Sequence, residues 1–251
     1  AQHPHRAKMY GTVGTPIVRT AIDELKRQID AFDIAGVKLY PAFFYDGIGQ
    51  GWRLDGEDWA TPFLEYCQKA GLKRIAIHKA LWLAPAPKEA FDIDDMESPL
   101  ARFPDMTFEM VHGGAAFLDE TVGLMKRYPN LYMTLETTFS YILTKPRVFA
   151  KVLGRLVTEG GSGRLLFGSG NNLAHPAPLI EAFRAYQFPE EYQEEFGIRP
   201  LTEPDRANIL GHNALKLYGF DPQVALPAIA DDTFSQARRA GIPGPWSNIR
   251  R

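Results

Sequence analysis

Arg74-Ile75-Ala76-Ile77-His78 and Phe108-Glu109-Met110-Val111-His112-Gly113-Gly114 are short apolar runs that each reach a histidine. A third run, Arg164-Leu165-Leu166-Phe167, leads into Gly168-Ser169-Gly170-Asn171-Asn172. Apolar runs of this length, bounded by glycine and polar residues, read as strands buried on both faces. Polar groups at the C-terminal ends of successive parallel strands are where barrels and open α/β sheets hold their chemistry. The third strand end is unusual, because no carboxylate stands there.

Outward from these runs, strand-like and helix-like segments alternate. Lys8 to Val13 reads as a strand. Ile17 to Phe32 reads as an amphipathic helix, since Val18, Ile22, Leu25, Ile29 and Phe32 recur at steps of four and three. Gly36-Val37-Lys38-Leu39-Tyr40 is a strand stopped by Pro41, and a loop is expected from Phe43 to Asp58. Trp59 to Ala70 is helical and closes at Gly71. A helix around Met96 to Arg102, a helix from Phe117 to Tyr128, a strand from Leu131 to Leu135 and a helix from Pro146 to Glu159 follow. Helices are expected near Ala177 to Tyr186 and Pro204 to Tyr218. The stretch from Asp221 is rich in proline and glycine. The expected organisation is a barrel domain over 1–220 and a surface tail over 221–251.

Strand starts roughly 25–35 residues apart, about the length of a βαβ unit, imply a parallel sheet covered by helices. A doubly wound sheet would carry a glycine-rich phosphate loop after its first strand, and Gly11-Thr12-Val13-Gly14 does not match one. The alternative is a (β/α)₈ TIM barrel, which needs about eight strands where this pattern supplies six.

The 251 residues are 45% hydrophobic and 23% charged, enough for a substantial core. A net charge of −2 gives no general pull toward nucleic acid or acidic membranes. No run approaches the roughly 18 apolar residues of a membrane span. The single cysteine, Cys67, cannot form an intrachain disulfide, which suits a cytoplasmic location. Its helical setting reads as a buried structural thiol.

His78 and His112 end neighbouring strands and would face one mouth, where imidazole serves as metal ligand or general base. A buried structural histidine is the plainer reading of His78 alone. Glu136 follows Leu131–Leu135; it could bind metal, orient a histidine, pair with Lys38 or face solvent. Lys38 either points into the mouth or extends outward. His175 could swing in from the loop after Phe167, and Asn171 could hydrogen-bond a substrate. Trp52, Arg53 and Trp82 could form an aromatic pocket with a cation for a carboxylate, or the tryptophans could simply pack over the barrel.

These segments together resemble the amidohydrolase-related family that includes aminocarboxymuconate-semialdehyde decarboxylase and resorcylate decarboxylases. The resemblance rests on Gly36-Val37-Lys38-Leu39-Tyr40-Pro41, Ile77-His78, Arg102-Phe103-Pro104-Asp105, Val111-His112-Gly113-Gly114, Tyr128-Pro129-Asn130, Leu166-Phe167-Gly168-Ser169 and Asn208-Ile209-Leu210-Gly211-His212-Asn213-Ala214. It implies a (β/α)₈ barrel with a divalent metal, expected to be Zn²⁺, at the C-terminal mouth. His78 would be a metal ligand, and His112 would bind the metal or activate water. Two departures stand out. The family's first-strand His-x-His pair has no counterpart here, and Gly170 stands where the last-strand Asp is usual.

The expected function is a metal-dependent hydrolase acting on a small organic substrate through a metal-activated water. His112, Glu136 and His175 are the candidate catalytic groups; Lys38, Trp52, Arg53, Trp82 and Asn171 are candidate substrate contacts. Non-oxidative decarboxylation of an aromatic or unsaturated acid is the alternative chemistry. A non-catalytic barrel that binds a ligand or partner is the alternative of another class. The strand count implies that the remaining units belong to a longer protein or come from a second chain, and a homo-oligomer is expected by resemblance.

Overall fold

The computed structural model describes residues 3–45, 48–170 and 175–241. In chain order its strands are β1 (Met9–Thr12), β2 (Ile34–Leu39), β3 (Ala42–Tyr45), β4 (Ile48–Gly51), β5 (Arg74–His78), β6 (Thr107–Val111), β7 (Leu131–Thr134) and β8 (Leu165–Leu166). Six of them form one sheet in the order β1-β2-β5-β6-β7-β8. Every neighbouring pair is parallel. Spatial order follows chain order, so the sheet never reverses direction as a doubly wound sheet does. Right-handed crossovers that all step the same way put their helices on one face and leave the other face for the barrel interior. Among the described residues β1 and β8 each pair on one side only, so the sheet is not closed.

Strand alternation divides the side chains between these faces. Val37, Leu39, Ile75, Ile77, Phe108, Met110, Leu131, Met133 and Leu165 join the large apolar core. There they meet Leu25 from the helix Val18–Ala31, Phe63 from Ala60–Lys69, Met125 from Leu118–Arg127 and Phe149 from Pro146–Arg155. Burying each such side chain contributes about 1.5–3 kcal/mol. Cys67 belongs to this core, and burial pushes its thiol up to about 12, as a structural thiol requires. The opposite parity, Lys38, Ala76, Glu109, Val111 and Thr134, faces a cavity.

The structure departs from the sequence pattern in four places. The stretch expected as a loop from Phe43 contains the antiparallel hairpin β3–β4, whose glycines had the look of loop signals. Those glycines instead let the ribbon lie closely against Ala86 and Ala90. A helix at Glu190–Phe196 was not expected, although Pro189 and Gly197 bracket it as start and stop signals.

The expected helix Pro204–Tyr218 is three pieces: Glu203–Ala207, a π-helical turn Asn208–His212, and Asn213–Tyr218. The widened turn leaves the Ile209 carbonyl to accept from Phe167 N at 2.9 Å, which ties the end of β8 to this helix. The stretch after Asp221 is not a plain tail. It forms helices Pro222–Ile229 and Thr233–Ala240, and Arg6 bonds Asp232 at 2.6 Å. Among the described residues no helix is long and apolar enough to cross a membrane.

Candidate active site at the C-terminal ends of the strands

His78 closes β5 as its last residue, buried between Tyr40, stacked at 5.4 Å, and the edge of Phe91 at 5.6 Å. His112 lies one residue beyond β6 with φ +75, a left-handed conformation that costs a non-glycine residue roughly 1–2 kcal/mol. Gly113 and Gly114 continue that conformation. At Gly114 glycine is obligatory, because a Cβ would lie 2.0 Å from Thr121 Oγ1. The turn is fastened where Thr138 Oγ1 donates to the His112 carbonyl at 2.8 Å. It breaks strand alternation and swings the imidazole against His78, with ring centroids 4.3 Å apart.

The hydrogen bonds assign the ring protons. The Leu81 carbonyl can only accept, so His78 Nε2–H donates to it at 2.7 Å. His78 Nδ1 is then an acceptor, and His112 Nε2–H donates to it at 3.1 Å. His112 Nδ1 in turn accepts from Thr137 Oγ1 at 2.9 Å. The result is a directed chain of neutral imidazoles. Burial, with Lys38 nearby, lowers His78 to about 4, and burial together with His78 and Lys38 lowers His112 to about 3.

Glu136 begins the short helix Glu136–Phe139 after β7, with a carboxylate oxygen 3.7 Å from His112 Nδ1. It also lies over Gly170: a Cβ on that glycine would be 3.0 Å from Glu136 Oε1. A side chain at Gly170 would thus meet the Glu136 carboxylate that follows the neighbouring strand.

Lys38 points inward. Its Nζ is buried, makes no hydrogen bond to any described residue, and sits 4.7 Å from the Tyr40 ring centroid. Desolvation lowers it to about 8 despite the attraction of Glu136 and Glu109. The cavity beside it measures about 770 Å³, walled by Lys38, Glu109, Thr134 and Glu136 on the sheet side and by Ala214, Leu215 and Tyr218 opposite. Glu109 crosses this space. It accepts from Tyr10 and, at 2.8 Å, from Tyr218, and burial raises its carboxyl above the usual range.

Glu109, Thr137 and the two tyrosines were missed by sequence reasoning. For Glu109 a signal existed: a carboxylate inside a strand buried on both faces needs a polar partner, and it shares Val111's inward parity. The buried pair Lys79–Asp95 was missed too. Lys79 Nζ donates to Asp95 at 2.7 Å and to the Ala90 carbonyl at 2.8 Å, while Asp95 also accepts from Leu54 N.

Other expected contacts lie elsewhere. Arg53 is held at the surface by Asp55 and Asp94, and with Trp52 it lines a separate recess of about 190 Å³. Trp52 packs between Phe43 and Trp59. Trp82 is 52% exposed and donates to the Ala86 carbonyl. The structure therefore does not bring Trp52, Arg53 or Trp82 to the Lys38 cavity, because local partners on the loops hold each in place. His175 caps the helix Pro176–Ala185, its Nδ1 accepting from Ala177 N at 3.1 Å. Asn171 lies outside the described residues.

The donor set bears on a metal. Among the described residues, no three His, Cys, Asp or Glu side chains gather as an ion would require. The facing nitrogens of His78 and His112 are committed to one another, Glu136 approaches His112 from its other nitrogen, and the Lys38 ammonium adds charge of the wrong sign. So arranged, these residues do not fit a resident divalent ion.

The amidohydrolase family model matches residues 1–220. The chain belongs to that family. No curated protein matches this amidohydrolase. An uncharacterised TIM-barrel protein of Bordetella bronchiseptica superposes with TM-score 0.63 at 20% identity, over 84% of this chain and 66% of that one. The 2,6-dihydroxybenzoate decarboxylase from Rhizobium gives TM-score 0.62 at 17% identity, over 88% and 73%. A dihydroxybenzoic acid decarboxylase from Polaromonas, with bound manganese and the inhibitor 2-nitroresorcinol, gives 0.56 at 17%, over 84% and 69%. At such identities the likeness establishes the fold. The six-stranded sheet of this amidohydrolase corresponds to part of a (β/α)₈ barrel, and the chain spans about two thirds of the Bordetella protein's length.

Proposed function

We propose that this amidohydrolase binds a small organic acid in the cavity beside Lys38 and removes its carboxylate as CO₂. The observation that carries the reading is the buried Lys38 ammonium, which no described residue hydrogen-bonds, on a side chain that lines the cavity. An unpaired buried charge is costly, and an incoming carboxylate offsets that cost with a charge-assisted hydrogen bond. The cavity, about 770 Å³, is of the size that encloses small organic ligands.

The donor geometry favours loss of CO₂ over hydrolysis. A metal-activated water needs an ion held by about three protein ligands, which the described residues do not gather. Decarboxylation needs an anchor for the anion and a proton for the carbon that loses CO₂. The C–C bond breaks, its electron pair stays on carbon, and a proton takes the place of CO₂. Lys38 supplies the anchor. Glu136, partly exposed in the cavity wall and beside His112, is placed to relay a proton from solvent to that carbon. Two of the solved relatives named above are decarboxylases of dihydroxybenzoic acids, which agrees with this choice of substrate class.

The test is CO₂ release from hydroxybenzoic and small unsaturated acids by the purified chain. Turnover that Lys38→Met abolishes is expected. Hydrolysis of a lactone or amide, with every acid left intact, would overturn the reading.

A further inference from the structure

We infer that the Lys38 ammonium takes the place of a divalent cation at the mouth of this barrel, so that the chain handles its organic acid without a metal. The inference rests on the proposed acid-binding function and assigns the electrophile of that same site.

Lys38 pairs in register with Ala76, and Ala76 pairs with Glu109, so the lysine shares an interior level with the buried acid. Its Nζ lies over the Tyr40 ring at 4.7 Å, and that same ring stacks on His78 at 5.4 Å. Cation and imidazole therefore flank one aromatic side chain. Lys38 also acts electrostatically on both histidines, disfavouring their protonation.

The donor directions also oppose an ion here. An ion between His78 Nδ1 and His112 Nε2 would have to displace the proton that joins them at 3.1 Å. The nearest carboxylate, Glu136, lies on the Nδ1 side of His112 and fills the space over Gly170 instead of converging with the imidazoles. A dication placed there would also face a fixed positive charge in a buried setting, where repulsion is poorly screened.

A divalent ion at an acid-binding site supplies positive charge to a carboxylate and its neighbouring oxygen. A buried ammonium that no described residue hydrogen-bonds supplies the same charge together with three donors.

The test uses the purified chain, with Mn²⁺, Zn²⁺ and 2,6-dihydroxybenzoate as probes in metal analysis and calorimetry. The wild-type protein should carry no stoichiometric Mn or Zn, and EDTA should leave both its melting temperature and its binding of the benzoate unchanged. Lys38→Met should weaken benzoate binding at least about tenfold, as loss of a charge-assisted contact implies. Lys38→Arg should retain much of it. Stoichiometric metal in the wild-type protein, or benzoate binding lost to EDTA and restored by Mn²⁺, would overturn the inference. If Lys38→Met fails to fold, Lys38→Arg and the wild-type metal titrations still decide. Failure of the two readings is distinguishable. Metal-dependent CO₂ release removes this inference and leaves the decarboxylase; metal-free binding without CO₂ release does the reverse.

Discussion

Glu136 occupies the space that a side chain at Gly170 would need: a Cβ there would sit 3.0 Å from Glu136 Oε1 and 3.1 Å from its Cγ. The two residues follow adjacent parallel strands, so one carboxylate serves where two would collide. Gly170 also has φ +54, which penalises any side chain. Gly170→Asp is therefore expected to destabilise the protein by about 1–3 kcal/mol, through backbone strain, overpacking and like charges. Glu136→Ala in the same background should recover much of the loss. Urea midpoints for the two variants decide; an unchanged midpoint for Gly170→Asp alone would show that Glu136 does not hold this space.

The His78–His112 pair sets a pH window for stability. Both are lowered from the ordinary value, His78 to about 4 and His112 to about 3, because burial favours their neutral forms. Above the unfolded value near 6.5 both states are neutral, and the pair contributes no pH dependence. As pH falls below 6.5 the unfolded chain takes up protons that the folded chain refuses, so stability drops until the folded groups titrate. For His78 the full effect is about 3 kcal/mol. Unfolding free energies at pH 7, 6 and 5 should decline for the wild type and more gently for His78→Gln. Equal slopes for the two proteins would refute the assignment.

Lys38 predicts a second pH dependence, in ligand affinity. Its ammonium loses its proton near 8, well below the usual lysine range, since burial disfavours the charged form. Binding of 2,6-dihydroxybenzoate should hold steady below that point and weaken by up to about tenfold per pH unit above it. Lys38→Arg should stay flat through pH 10. Calorimetric titrations across this range provide the check, and a wild-type curve that stays flat to pH 10 would sink the role given to Lys38.

The Lys79–Asp95 pair is fully buried and joins the loop after β5 to the backbone at Leu54. Removing one member leaves an uncompensated charge, so Lys79→Met should cost about 3–5 kcal/mol. Lys79→Met with Asp95→Leu should cost much less, because no charge is stranded. Denaturant unfolding of the single and double variants measures both. A double variant no more stable than the single would show that the pair does more than balance charge.

Much of the fold was legible in the chain. The six sheet strands and the helices between them follow from apolar runs and helical spacing, since strands covered on both faces are predominantly apolar. The hairpin β3–β4 was not legible, because its glycines serve a close approach to Ala86 and Ala90 that only the folded partner reveals. His78 and His112 were visible as polar ends of apolar strands. Trp52, Arg53 and Trp82 looked like pocket residues by composition, yet nearby carboxylates, rings and carbonyls hold them away from Lys38.

The sequence by itself determined the alternation of parallel strands with helices, the strand-end histidines, and the glycine where a last-strand carboxylate was expected. These are local properties, set by hydrophobic spacing and by residue type at a strand end. Tertiary structure decided the rest. The left-handed turn at His112 aims one imidazole at the other. Glu136 reaches across to cover Gly170, and Lys38 is left without a hydrogen-bonding partner among the described residues in the cavity wall. Each depends on distances between residues far apart in the chain, and electrostatics in a buried site follows distance and solvent exclusion, not sequence order.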